Sequence, residues 1–489
     1  MALKHLFGLA YVALTAKAQS SSAAACPSST IGPAHGAPSV APGFRVQVVA
    51  NNLRDPRSIQ FDSAGGLLVV EQGHGISRLQ LSGDGACLRQ SGATQVVVDN
   101  NEISHGIALS QDGSTLYAST YNHVYRWQYN AQEGRITGNP STIIENMGEN
   151  DGHTTRTLLL SGKVPSLLLV SRGSQGNLDD NTLDINSGVS TIKAYNVSNV
   201  TDTAYNQPRD GLLLGWGLRN SVGIAEDPVT GAVYSVENSV DDLERSGQTI
   251  NQNNPGEELN YHGFLNQTSD VTGKNFGYPT CFAAWNVTEI PDNNGLKTGS
   301  NFAIGTQNAT LNDTYCQEDR VAPRITFQAH MAPLDMKFNT NGTGAWVTMH
   351  GSWNRDAPIG YKLSFVEFDG NGSPTAAANS TTAAIDIVSN PDLSACPSNC
   401  FRPVGLAWDS QGRLFMSSDS TGEIYMITKT DGSGVNDVRQ VSTGGSNSGS
   451  NTGNAPAPSS SQGAGVKSWK VGQGSFWIAG AAAVGGALP

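Results

Sequence analysis

The sequence predicts an all-β fold, a six-bladed β-propeller with a long inserted loop between its fourth and fifth blades. Three observations lead there. A two-strand motif about an Asx-Gly turn recurs six times; charged residues make up only 14% of the 489; and there are 56 glycines. An average soluble domain carries roughly 25% charged residues. Low charge with many small polar residues argues against helical bundles and coiled coils, and suits short strands joined by frequent turns.

The copies follow in chain order. Ile59-Gln60-Phe61-Asp62 leads into Gly66-Leu67-Leu68-Val69-Val70, and Ile107-Ala108-Leu109 into Gly113-Ser114-Thr115-Leu116-Tyr117. A looser third copy joins Leu158-Leu159-Leu160 to Leu167-Leu168-Leu169-Val170 across Gly162. The last three centre on Asp227 and Gly231, Asn339 and Gly344, and Asp409 and Gly412. Between Gly66, Gly113, Gly162, Gly231, Gly344 and Gly412 the spacings are 47, 49, 69, 113 and 68 residues. Such a period, with a third strand as in Val124-Tyr125-Arg126-Trp127, is the mark of propeller blades. A β-sandwich would leave the recurring turn unexplained. The widest spacing has room for a seventh blade, but it holds Cys281, Cys316 and the sequons at Asn266, Asn286, Asn308 and Asn312 without a clean repeat. It is therefore read as an insertion.

The ends read as sorting signals. Residues 1–18 have Lys4, an apolar run from Leu6 to Leu14 and the small-x-small site Ala16-Lys17-Ala18, the pattern of a secretory signal peptide. An N-terminal segment (19–43) leads to the propeller (44–430). A stalk (431–465), Ser/Gly-rich from 442, ends in the small residues Gly463-Ala464-Gly465. A spacer from Val466 and an apolar tail from Ser475 to Pro489 complete a GPI-anchor signal over 466–489. The tail is shorter than the ~20 residues of a membrane span. Secretion also fits nine Asn-x-Ser/Thr sequons (Asn196, Asn199, Asn266, Asn286, Asn308, Asn312, Asn341, Asn371 and Asn379) and six cysteines. Cys281 with Cys316 and Cys396 with Cys400 are the local pairings, which leaves Cys26 with Cys87; six cysteines allow fifteen connectivities, so the map stays open. Zinc is disfavoured because no second close pair answers Cys396 and Cys400. With 29 basic against 41 acidic residues the formal charge is −12, which excludes a nucleic-acid partner held by general attraction.

Polar residues stand where the chain enters the innermost strands: Arg57, His105, His153, Arg219 with Asn220, His330 with Met331, and Arg402. Singly, each reads as a hydrogen-bonded structural residue. Together they aim cations and imidazoles from six blades at one place. Buried like charges cost several kcal/mol unless paired, so the ring implies a bound polyanion or strong internal carboxylate partners.

These segments, with Glu257-Glu258-Leu259-Asn260, Asn275-Phe276-Gly277-Tyr278-Pro279, His350-Gly351-Ser352-Trp353-Asn354-Arg355, Gly360-Tyr361-Lys362 and Arg402-Pro403-Val404-Gly405, resemble the glucose/sorbosone dehydrogenase family over roughly Phe44 to Ile427. Within it the chain looks most like the secreted fungal pyranose dehydrogenases. The resemblance implies pyrroloquinoline quinone (PQQ) and Ca²⁺ in the channel mouth, and oxidation of a sugar at its anomeric carbon by hydride transfer. It makes His153 the general base, with an ordinary imidazole pKa near 6.5, and Arg219 the stabiliser of charge on the quinone oxygen. His105, Arg219, Asn220, Arg355, Lys362 and Arg402 become cofactor contacts, the cations suiting three carboxylates. Calcium falls to the backbone carbonyls of Ser239 and Val240, where some relatives have Gly-Pro. Asp241, Asp242, Glu257 and Glu258 are either further oxygen ligands or a solvated acidic loop. Asp151 is a candidate orienter of His153. The product would be a lactone. Neither haem domain nor cellulose-binding module is read here, so the electron acceptor stays open. Two rivals remain, a non-catalytic binding propeller at the cell surface and a calcium-dependent lactonase. The Arg and Lys set separates quinone binding from hydrolysis.

Overall fold

The structure is a computed structural model that describes residues 31–441, apart from 84, 86, 149–150 and 199–202. The signal peptide, most of the stalk and the anchor signal lie outside the described residues, as do Cys26 and Asn199.

Six antiparallel sheets of four main strands form the ring. Their innermost strands are Pro56–Phe61, Ile103–Leu109, Leu158–Leu160, Ser221–Glu226, Pro333–Phe338 and Pro403–Trp408, and successive ones touch around the axis. The ring is closed by the N-terminal strand Phe44–Ala50, which pairs antiparallel with Glu423–Lys429 as the outer strand of blade six. Ser39–Val40 adds a short edge to blade five.

The turns show why the motif recurs. In blade one Asp62 Oδ1 accepts from Ala64 N at 3.0 Å and Gly66 N at 2.8 Å, while Gly65 takes φ +80°, a left-handed conformation that costs glycine little. Asp409 repeats this with Gln411 N and Arg413 N, both 2.9 Å. Asp62 also accepts from Arg78 Nε at 2.6 Å and from the Tyr129 hydroxyl at 2.8 Å, which ties the turn to blade two. Between blades the alternating apolar faces interdigitate: Trp346, Leu363, Phe365, Leu414, Tyr425 and Ile427 form one such layer.

The insertion falls inside blade four, between its third and fourth strands, rather than between blades four and five. Blade four leaves its third strand, Glu257–Phe264, and returns as its fourth, Ile325–Phe327, only after residues 265–324. The inserted chain has its own hairpin (Cys281–Ala283 with Asn301–Ala303), a helix Asp313–Asp319 and the disulfide Cys281–Cys316. It packs Tyr278, Phe282 and Phe302 against Val240, Leu243 and Ile250 of the preceding loop. Arg245 of that loop, fully buried, makes a two-pronged ion pair with Asp313 at 2.8 Å on each arm. Cys396 pairs with Cys400, which removes the only close pair a zinc site could use, and Cys87 is also disulfide-bonded. None of the eight described sequon asparagines is buried. No helix among the described residues is long and apolar enough to cross a membrane.

Candidate functional site

Residues that enter four of the six inner strands meet in a cavity of about 350 Å³ at one end of the channel. His153, Arg219, Asn220, His330 and Arg402 line it, from four different blades.

His153 precedes the inner strand of blade three. Its ring Nδ1 lies 3.0 Å from both the carbonyl and the hydroxyl of Ser174. A carbonyl can only accept, so Nδ1 carries the hydrogen and Nε2 keeps its lone pair. Burial, helped by the nearby Arg219 charge, pushes the imidazole pKa down to about 4 rather than the expected 6.5. The orienting group is therefore the Ser174 carbonyl; Asp151 is exposed. Gly173 makes this packing possible, because a Cβ there would stand 2.7 Å from Asn220 Oδ1 and 2.9 Å from His153 Cβ. Arg156 holds the same loop by donating to the carbonyls of His153 (2.5 Å) and Thr155 (2.9 Å).

Arg219 is held on several sides. Its guanidinium donates to Asn177 O (3.2 Å), Asn177 Oδ1 (2.8 Å), Asn238 O (3.4 Å) and Asp241 Oδ2 (3.2 Å). Arg57 is paired with Asp419 at 2.6 Å, and Asp419 also faces His350 Nε2 at 2.9 Å. Internal carboxylates thus answer two of the ring's arginines. Arg402 is different: its guanidinium donates to the carbonyls of His350 (3.2 Å) and Gly351 (2.8 Å) and lies over the Tyr361 ring.

Six expected residues, Arg57 among them, are not brought to the cavity lining. His105 is buried beside Arg57, whose Nε donates to its Nδ1 at 3.3 Å; burial and then that charge hold its pKa well below the usual value. Lys362 points instead to Asp386 at 2.8 Å and lines a separate groove with Trp285 and Thr382. Its alternation along the outward-running strand Lys362–Glu367 decides this, and a motif cannot show it. Arg355 donates from Nη2 to Asn253 Oδ1 at 3.2 Å, while its buried Nε and Nη1 have no partner. The Val240 side chain packs into the apolar cluster under the insertion, and Met331 likewise joins an apolar cluster. Ser239 does line the cavity.

The acidic loop is resolved residue by residue. Asp242 is exposed, whereas Asp241 and Glu257 line the cavity and Glu258 is buried. Glu257 accepts from Ser239 N at 2.6 Å and Ala332 N at 3.2 Å. Burial raises the Asp241 pKa, but the hydrogen bond from His330 and the Arg219 charge outweigh it and hold the carboxyl below the usual range. Burial pushes Glu258 up to about 7. The sequence motifs include His350 and Asn354 but assign no role to them or to Asn238, and all three line the cavity. Asn354 donates to Asp241 Oδ1 at 2.7 Å, and its own Oδ1 is buried without a partner. The site thus offers a neutral imidazole at His153, fixed guanidinium groups and a wall of oxygen atoms. That chemistry can take a proton, hold an anion and hold a hard cation.

Fold and site together define a propeller protein that receives a small polar ligand at its channel mouth. The chain belongs to the TrAA12-like family, whose model matches residues 38–430. It is 45% identical to a pyrroloquinoline quinone-dependent sugar dehydrogenase of Hypocrea jecorina, over 84% of this chain and 94% of that one. It is 36% identical to a pyrroloquinoline quinone-dependent pyranose dehydrogenase of Coprinopsis cinerea, over 80% of this chain but only 55% of that longer protein. Among solved structures, the calcium structure of a Trichoderma reesei protein of carbohydrate-active enzyme family AA12 superposes with TM-score 0.80 at 46% identity, covering 82% of this chain and 99% of that one. The holo form of the PQQ domain of the Coprinopsis cinerea pyranose dehydrogenase gives TM-score 0.76 at 35% identity, covering 83% and 99%.

Proposed function

We propose that this chain is a PQQ- and calcium-dependent sugar dehydrogenase, secreted and held at the cell surface by a GPI anchor, that oxidises an aldose at its anomeric carbon with His153 as general base. The observation that carries the reading is the neutral His153 ring, with Nε2 unencumbered, in one cavity with Arg219 and Arg402.

The residues fit the cofactors. The cavity cation Arg402, whose guanidinium hydrogen-bonds among the described residues only to the carbonyls of His350 and Gly351, suits a compact polycarboxylate. Among the described residues the carbonyls of Ser239 and Val240 accept no hydrogen bond, and no cluster of three His, Cys, Asp or Glu side chains converges on a point. A hard cation there would rest on backbone oxygens and on the cofactor's own. When bound, PQQ supplies the two-electron acceptor for the C1 hydride, and calcium polarises its quinone carbonyl.

The chain's own groups do the rest. His153 Nε2 takes the proton of the anomeric hydroxyl, and the Ser174 carbonyl keeps the ring in the productive tautomer. Arg219, fixed by Asn177 and Asp241, presents positive charge to an oxygen that gains negative charge. Disulfides at Cys87, Cys281–Cys316 and Cys396–Cys400 suit an oxidising compartment, as does carriage of N-glycans on the accessible sequons. Electrons then pass to an external acceptor. The test is dye reduction by purified apoprotein given PQQ and CaCl₂ with a panel of aldoses. Sugar-dependent reduction that needs both additions is expected; no reduction with any aldose would remove the reading.

A further inference from the structure

The cavity is polar on nearly every side, yet one large ring stands at it. Trp353 is the only Phe, Tyr or Trp among its described lining residues. At 69% exposure it is also the most exposed large apolar side chain among the described residues. A single exposed apolar side chain is ordinary by itself; what sets this one apart is that its large apolar face stands at a polar cavity.

Its backbone is not loose. On one side Ser352, which is buried, donates from its N–H to Ile359 O at 2.9 Å and accepts from Ile359 N at 3.0 Å through its hydroxyl. The Ser352 carbonyl accepts from the hydroxyl of the fully buried Tyr361. On the other side Asn354 is tied to Asp241. Asp241 is in turn the partner of Arg219. The chain therefore holds both neighbours of Trp353 rigidly, one of them through the site's own ion pair, and lets the ring itself project.

We propose that Trp353 is a specificity-determining residue, a platform on which the apolar C–H face of a neutral pyranose ring stacks while its hydroxyls reach the polar wall. The proposal rests on the sugar dehydrogenase reading and names what that site recognises beyond the anomeric carbon. Amphipathic ligands with one apolar face and a polar edge are what an aromatic ring against convergent polar groups selects. A sugar acid would meet the carboxylates of Asp241 and Glu257 in the same wall and gains less.

The test compares wild type, Trp353→Ala and Trp353→Phe as PQQ- and calcium-loaded enzymes. Cofactor affinity is read by absorbance titration, and kcat and KM by dye reduction with the best aldose. Trp353→Ala should raise KM roughly 5–30-fold with kcat within about 3-fold, the pattern of lost binding common to ground and transition states. Trp353→Phe, which keeps a ring, should recover most of that loss, and PQQ affinity should not move in either variant. Sugar should perturb tryptophan fluorescence in the wild type and not in Trp353→Phe. Unchanged KM in Trp353→Ala, with PQQ bound and dye reduced, overturns the platform alone. A weakened PQQ titration in Trp353→Ala assigns the indole to the cofactor and also overturns it. A wild type that binds PQQ but reduces no dye with any sugar overturns the dehydrogenase reading and the platform with it.

Discussion

His153 shows what one side chain's surroundings decide. The buried ring, with the Arg219 charge beside it, stays unprotonated until about pH 4. A base with a lowered pKa is competent above that value, so the acid limb of kcat/KM should fall near pH 4 and not near 6.5. A limb at 6.5 would contradict the neutral, desolvated ring. His153→Ala should keep PQQ bound and lose about 10²–10⁴-fold in turnover, the usual contribution of a general base; unchanged turnover rules the residue out. The motif made this histidine, Arg219, Asn220 and Arg402 legible, because residues that begin inner strands must face the axis. It did not show that Lys362 pairs with Asp386 or that His105 lies beneath Arg57, both off the cavity lining. It flagged the segment of His350 and Asn354 without assigning them a role, because their placement depends on how the loop after a second strand folds back over the mouth.

At the scale of elements, the insertion of blade four backs the loop that carries two lining residues, Ser239 and Asp241, and one ion pair fastens it. Arg245 belongs to the loop that carries Ser239 and Asp241, Asp313 to the short inserted helix, and the arginine is fully buried. Removing the acid alone strands a buried charge. Asp313→Ala should therefore lose about 3–5 kcal/mol in urea denaturation and lower activity through the loosened loop. A loss below about 1 kcal/mol would mean the pair is screened. The Asx-Gly turns and their strands were readable because their chemistry is local: Asp62 and Asp409 close their turns within four residues. The path of the insertion was not readable, since its return strand Ile325–Phe327 is short and is defined by pairing with Glu257–Leu259 far behind it in the chain.

The whole molecule carries a pH signature from its buried imidazoles. His262 is fully buried and held down to about 3 by desolvation, against about 6.5 in an unfolded chain. Between those values the unfolded chain binds a proton the folded one refuses, so stability falls as pH drops below about 6.5. The limiting slope is about 1.4 kcal/mol per pH unit for each such group. The gap between wild type and His262→Gln in denaturant midpoints should narrow steadily from pH 6.5 to 4; parallel profiles would show that the ring is protonated when folded. Ring closure by Phe44–Ala50 brings six strand entrances to one mouth, and the site exists only in that assembled ring. Convergence of cations from separate blades on one anionic redox molecule is therefore the property on which function depends. An absorbance titration of the apoprotein with PQQ in CaCl₂, run beside Arg402→Met, addresses it most directly. Saturable binding at one PQQ per chain, weakened at least about 10-fold by the substitution as expected for a lost charged hydrogen bond, is the predicted result. No saturable binding, or identical titrations for the two proteins, would contradict it.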